Sequence, residues 1–177
     1  MHRLRFVLDA DVEIEELGGY HDDVTAALRF FFSPVAPDFA ARFAGFSKAE
    51  ITRRLENRIL ESERRSSFAV LASLEAYFRI DFNIRCRQRL KDDLSVYFRK
   101  IEKMRANRVR LDEDILQGWK RHSNASPDLI NQVRTAFKFR HWLAHGRYWI
   151  PKLGQKYDFA GIYLPARAII AGFQLSR

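Results

Sequence analysis

The stretch SPDLINQVRTAFKFRHWLAHG, Ser126 to Gly146, marks both ends of a helix in its own residues. The Ser126 hydroxyl can cap the first turn, and Pro127 at the first helical position has no N–H to leave unpaired. Gly146 suits the left-handed residue that closes a helix, and Pro151 keeps the helix from resuming. On a wheel of about 100° per residue, Leu129, Val133, Ala136, Phe137, Leu143 and Ala144 fall within about 120° of one another. Arg140 falls inside that apolar stripe. An unpaired buried guanidinium costs several kcal/mol, so Arg140 requires a carboxylate or an anionic ligand. His141 and His145 stand at i and i+4 and are neighbours on an adjoining face. Arg147, Tyr148 and Trp149 follow at once.

Working outward, the same signals recur along the chain. Ser47-Lys48-Ala49-Glu50 is a capping box that opens a helix with Ile51, Leu55, Ile59 and Leu60 at helical spacing. Ser66-Ser67 is the weakest point of that run. A second helix follows or continues it from Ser67 to about Leu90, with Val70, Leu71, Leu74, Tyr77, Phe78 and Phe82 as its stripe. A third is expected over Asp92 to Asn107, and Asp112 is expected to cap a short helix holding Ile115, Leu116 and Trp119. Near the N-terminus, residues 3–16 alternate loosely and fit a strand, a hairpin or an early helix. Gly18 and Gly19 should break the chain before a short helix over Asp23–Phe32. A last short helix is expected over Ala166–Phe173, with Pro165 splitting it from what precedes. No period of 20–50 residues repeats. The expectation is an all-α bundle over residues 47–177, preceded by an acidic extension or small subdomain over residues 1–46.

Charge is unevenly distributed. The 177 residues carry 31 Lys and Arg against 22 Asp and Glu, a formal charge of +9. Asp9 to Asp23 holds seven acids and no Lys or Arg, whereas Arg85 to Arg110 holds ten bases against three acids. The basic block is interleaved with Leu90, Leu94, Tyr97, Phe98 and Ile101, which predicts a helix with one cationic face. Such a face is either plain solvated surface or a phosphate-contacting one. The single cysteine, Cys86, permits no intramolecular disulfide. Flanking Arg85 and Arg87 would activate its thiol, whereas burial would leave it inert. The start of the chain reaches acids by position 9 without an apolar run, so it does not read as a signal peptide. The most apolar late stretch, Ala166 to Leu175, falls far short of the ~20 residues a membrane helix needs. A cytoplasmic protein without membrane contact is expected.

The end of the Ser126 helix carries the chemistry. Two imidazoles can exchange protons near neutral pH, and an arginine can hold a phosphate through two parallel hydrogen bonds. Each residue also has a plainer reading. Arg140 can be a structural ion-pair partner, His145 can sit where the helix dipole favours a cation, and His141 can serve structure or function. The i, i+4 histidine pair can also bind zinc, but no H-E-x-x-H pattern accompanies it, and no metal or cofactor is called for. Trp119, Trp142 and Trp149 read as core or interface residues.

Arg140-His141-Trp142-Leu143-Ala144-His145 resembles the R-x4-H signature of HEPN domains, with His141 in the polar position where asparagine is commoner. The wider run Phe139 to Trp149, and the segment Leu74-Glu75-Ala76-Tyr77-Phe78-Arg79-Ile80-Asp81-Phe82, are similar to one bacterial branch of that superfamily. The resemblance spans roughly Ser47 to Tyr148. It implies a homodimeric, metal-independent endoribonuclease with the motif helices of two subunits facing across a shared cleft. It further implies His145 as general acid or base, Arg140 as phosphate stabiliser and His141 as assistant. Glu75 is the expected carboxylate for Arg140. Arg147, Tyr148, Arg79, Arg85 and Arg89 are expected to guide the RNA. A toxin with a cognate antitoxin protein, or a phage-defence element, fits such a chain. A non-catalytic RNA- or nucleotide-binding module and a ligand-free interaction dimer are the alternatives.

Overall fold

A computed structural model of the protein describes residues 13–148, 153 and 157–176. Among them the chain is all-helical, and no strand occurs. The elements are α1 (Ile14–Phe31), α2 (Phe39–Arg42), α3 (Lys48–Gln88), α4 (Asp93–Arg105), α5 (Gln117–His122), α6 (Pro127–Ala144) and α7 (Phe159–Gly172). A 3-10 turn, Ala106–Arg108, follows α4, and a π-helical turn, Leu111–Leu116, runs into α5.

The spine is α3, whose 41 residues extend for about 60 Å. Its start is fixed by the expected capping box. The Glu50 amide donates to Ser47 Oγ at 3.3 Å, and the Ser47 amide donates to Glu50 Oε2 at 2.8 Å. The Ser47 hydroxyl, which donates to Glu50 Oε2 at 2.7 Å, contributes most to holding the Glu50 carboxyl below its ordinary range, followed by the Ser47 amide. The helix does not yield at Ser66-Ser67. Both serines are buried, and packing of α1 and α7 onto α3 outweighs their weak helical preference.

Tertiary packing also overrides two other expected interruptions. Gly18 and Gly19 lie inside α1 rather than breaking it, because Ile14 is buried in the core and Gly18 receives the ring of Tyr163 from α7. Pro165 lies inside α7, which begins at Phe159 and not after the proline. Asp158 caps it through the Gly161 amide at 2.7 Å, and Phe159, Ile162, Ala166 and Ile169 bury one face. Asp112 caps nothing and pairs with Arg134. Asp114 is the buried acid instead, accepting from the Arg110 amide at 2.8 Å and pairing with Arg105 at 2.9 Å. The alternation over residues 3–12 lies outside the described residues.

The core is built on Val70, Leu71, Leu74, Phe78 and Phe82 of α3, against Phe98, Ile115, Leu116, Trp119, Ile130, Val133, Ile162 and Ile169. Ile14 of α1 belongs to the same cluster. One charged group crosses it. Asp81 is fully buried and accepts from Arg85 Nε at 2.7 Å, from the Ser176 amide at 2.8 Å and from Trp119 Nε1 at 3.2 Å. Burial pushes its carboxyl up, and the three donors oppose that shift. Arg85 also reaches Asp92, Ser95 and the Gln174 carbonyl. It therefore belongs to the interior and leaves the cationic surface expected of the basic block. Arg105 is likewise held by Asp114, and Arg99 donates to the Leu90 carbonyl at 2.6 Å. The block is divided between the end of α3, α4 and the turns after it, so it does not form the single cationic helix face the sequence suggests.

Two glycines inside helices make opposite demands. At Gly118 a Cβ would lie 2.6 Å from the fully buried Phe98 ring, whereas at Gly19 it would meet nothing within 4 Å. Gly118→Ala should lower stability by about 1–3 kcal/mol through overpacking. Gly19→Ala should raise it by ~0.5–1 kcal/mol through helix propensity. Urea denaturation midpoints of the two variants, moving in opposite directions, check both.

Candidate functional site

The second half of α6 lies along α3, and its capping chemistry fixes where its last side chains go. Ser126 Oγ accepts from the Leu129 amide at 3.4 Å, Pro127 occupies the first turn, and Ala144 is the last helical residue. Gly146 is left-handed at φ +79°, and the Arg147 amide returns to the Trp142 carbonyl at 3.3 Å. This is the six-to-one hydrogen bond of a Schellman closure. The buried face is centred on Ile130, Val133, Ala136 and Phe139. Leu129, Phe137 and Leu143 flank it half-buried, and Ala144 is exposed, so the true stripe is rotated from the expected one. The rotation follows from contact with both α3 and α7, and Phe139 stacks on Trp142 and Tyr157 at 5.7 and 5.1 Å.

Arg140 therefore sits at the edge of the buried face, turned toward α3. Its Nη2 is 3.2 Å from Glu75 Oε2, and its guanidinium lies 5.6 Å from the Phe68 ring centroid. The other oxygen of Glu75 accepts from Arg79 Nε at 2.7 Å. One carboxylate is thus shared by two guanidinium groups, leaving one positive charge in excess. The Arg140 and Arg79 side chains remain 33% and 40% exposed, which leaves both within reach of an anion from solution. Arg140 Nε is buried without a hydrogen-bond acceptor among the described residues.

His141 and His145 are exposed, with ring centroids 4.2 Å apart. Arg140, by contrast, is paired with a carboxylate of α3. Arg147 forms a two-pronged pair with Glu61 of α3, at 2.6 and 3.3 Å. Arg65 joins the same carboxylate at 3.3 Å. These bonds, that from Arg147 foremost, hold the Glu61 carboxyl below its ordinary range. Tyr148 is exposed, and Trp149 lies outside the described residues. Arg64 stands 5.6 Å over the Trp142 ring.

Of the residues singled out in the sequence, Arg140, His141, His145, Arg147, Glu75 and Arg79 are gathered along α6 and the facing stretch of α3. Arg85 is interior, as described above. Arg89 is exposed and ends α3 in a left-handed conformation, about 15 Å along the helix from Arg79. Cys86 is buried, and desolvation foremost pushes its thiol up to about 12, so the flanking arginines do not activate it. Sequence reasoning missed Glu61, Arg64 and Phe68. The i, i+4 spacing of Glu61 and Arg65 was the only local signal, and it points along α3 rather than across to α6.

The arrangement offers two surface imidazoles for proton transfer and an arginine pair with surplus charge for a phosphate. Among the described residues no three His, Cys, Asp or Glu side chains converge as metal ligands, and no helix is long and apolar enough to cross a membrane.

The Glu61–Arg147 pair gives a pH signature. A carboxyl depressed in the folded state contributes stability that is present above its unfolded pKa and is lost as pH falls. The difference in melting temperature between the wild type and Glu61→Gln should therefore shrink between about pH 6 and about pH 3, the carboxylate range. Carbon-detected NMR should show Glu61 titrating at higher pH in Arg147→Ala than in the wild type. Comparison of the chain with protein families, with curated proteins and with solved structures finds no match.

Proposed function

We propose that the protein is a HEPN-type, metal-independent endoribonuclease that acts as a homodimer in the cytoplasm. The observation that carries the reading is the shared carboxylate of Glu75, which holds Arg140 and Arg79 together with one positive charge unmet, on the helix that also presents His141 and His145.

RNA brings its own nucleophile. A base removes the proton of the 2′-hydroxyl, O2′ attacks the adjacent phosphorus, the P–O5′ bond breaks, and an acid protonates the departing O5′. The products are a 2′,3′-cyclic phosphate and a 5′-hydroxyl end. His145 is assigned the proton transfer, with His141 beside it to orient or to act as its complement. Arg140 neutralises charge on the phosphorane, and Arg79 and Arg147 guide the backbone. Tyr148 supplies a ring against which a base can stack. Arg89 lies further along α3 and serves only the electrostatic approach.

The geometry of one helix supports the reading of a second copy. Arg140 and His145 are five residues apart, which separates them by about 140° in azimuth. Arg140 turns inward to Glu75 while the histidines turn outward. Two α6 ends facing each other bring the arginine of one subunit and the histidine of its partner to one phosphate. A toxin restrained by an antitoxin protein, or a phage-defence effector, is the biological setting this chemistry fits.

Purified protein incubated with total RNA in EDTA should leave 2′,3′-cyclic phosphate ends. His145→Ala should reduce cleavage by about 100- to 10,000-fold. Arg140→Ala should reduce it by ~100-fold or more. Both variants should keep the helical circular dichroism and the sedimentation of the parent. Salt-sensitive RNA retention with no cleavage would instead establish a binding module, and activity that survives both substitutions would remove the catalytic assignment.

A further inference from the structure

The N-terminal half of α3 carries a second feature, which shares Glu61 and Arg65 with the site described above. Between α1, the segment around α2 and residues 54–69 of α3 runs an open groove. Its wide end, about 1000 Å³, is floored by Val24, Leu28, Phe31, Phe32 and Phe43. It continues past Leu17 and Tyr20 as a narrower arm of about 300 Å³. Tyr20 and Phe31 keep 67% and 45% of their surface in water, although both line this trough. Exposed aromatic surface of that kind, rimmed by charge, is the mark of an interaction site.

The rim is charged with one sign. Arg42, Arg54, Arg58 and Arg65 line it, and Glu61 is its only acid among the described residues. That acid is already engaged by Arg147 and Arg65. Arg42 donates to the Phe31 and Pro37 carbonyls, and Arg54 lies 3.8 Å over the Phe46 ring. Neither forms an ion pair among the described residues, nor does Arg58, although Glu50 lies one turn before Arg54 and feels its charge. The groove therefore combines an apolar floor with three cationic side chains that form no ion pair among the described residues.

Its length sets the shape of an occupant. The walls run from Leu17 to Phe32 on α1 and from Arg54 to Ala69 on α3, each about 22 Å, the length of a four-turn helix. A second copy of this chain is a poor match. Symmetric pairing of the groove with itself would bring a second set of Arg42, Arg54 and Arg58 into the same interface, with Glu61 on each rim already engaged. The acids of α1 are exposed, but its apolar residues are already used: Ile14 faces the bundle, and Leu17, Val24, Leu28 and Phe31 line the groove itself, so α1 has no further apolar face to insert into a partner's groove. We propose that the groove docks an acidic amphipathic helix of about 15 residues from a different protein, its apolar face on Val24, Leu28 and Phe31 and its carboxylates among Arg42, Arg54 and Arg58.

The test is a selection. A phage-displayed library of helical peptides of about 16 residues is panned on the full chain, and counter-selected on Arg54→Glu/Arg58→Glu, two exposed changes whose folding is verified by circular dichroism. The selected peptides should carry apolar residues at i, i+3, i+4 and i+7 flanked by Asp and Glu. A fluorescein-labelled member should bind the parent at least ~10-fold more tightly than the double variant, and less tightly as salt rises. It should shift the methyl resonances of Val24 and Leu28 first. Enrichment of no acidic sequence, equal binding to the double variant, or shifts confined to other methyl groups would overturn the proposal. So would a change in sedimentation of the unliganded double variant, because the groove would then be a contact between copies.

Discussion

The joining of α3 to α4, α5 and the final segment depends on the fully buried carboxylate of Asp81. Asp81 lies fully inside, and its donors come from Arg85 one turn on, from Trp119 of α5 and from the backbone at Ser176. Arg85 then extends the network to Asp92 and Ser95 at the start of α4 and to the carbonyl of Gln174. Three other parts of the chain are thereby registered on a single turn of α3. Such a pair does not by itself add stability over an apolar filling of the same volume, but loss of one partner strands a charge and costs about 3–5 kcal/mol. Its role is to permit one arrangement of α4, α5 and the final segment and to penalise the others.

With that turn fixed, α3 acts as a ruler. Glu61 and Glu75 stand 14 residues apart, about 21 Å along the helix. They receive Arg147 and Arg140 from the antiparallel α6. The spacing sets both the axial position and the rotation of α6, because each arginine must meet its own carboxylate while Ile130, Val133, Ala136 and Phe139 stay buried. The Schellman closure at Gly146 then turns Arg147 back toward Glu61 instead of letting it follow the helix axis. The exposure of His141 and His145 results from these inward constraints. With Arg140 and Phe139 committed to the interior side, the residues about 100° and 140° away must face water.

The parts legible in the sequence are those that local chemistry decides. The Ser47–Glu50 box and the Ser126-Pro127 and Gly146 signals each lie within a few residues of one another, and the helices begin and end where they indicate. The need of Arg140 for a carboxylate was legible too, because the wheel placed it beside apolar neighbours and Glu75 stood on another amphipathic helix. What was not legible depends on contacts remote in sequence. Gly18-Gly19, Ser66-Ser67 and Pro165 are genuine local weaknesses, overridden by packing among α1, α3 and α7. Arg85 read as one more cation in a basic block because its partners at Ser95 and Gln174 lie 10 and 89 residues away. Glu61 meets Arg147 across 86 residues, a distance over which periodicity carries no information.

On the proposed reading, the charge count at Glu75 bears on why a carboxylate should occupy a phosphate site at all. Two guanidinium groups brought together without it would repel each other and favour solvent-directed rotamers. With Glu75 between them they are held in place before any ligand arrives, and the cluster still carries one positive charge. A phosphodiester adds one negative charge and makes the whole neutral, so binding need not displace the glutamate. A second acid beside Arg140 and Arg79 would cancel the attraction, and no acid at all would leave the arginines unplaced. On the proposed reading, the single shared carboxylate sets the cluster between those limits: preorganised enough to act on a developing phosphorane charge, and still short of one negative charge that the RNA backbone supplies.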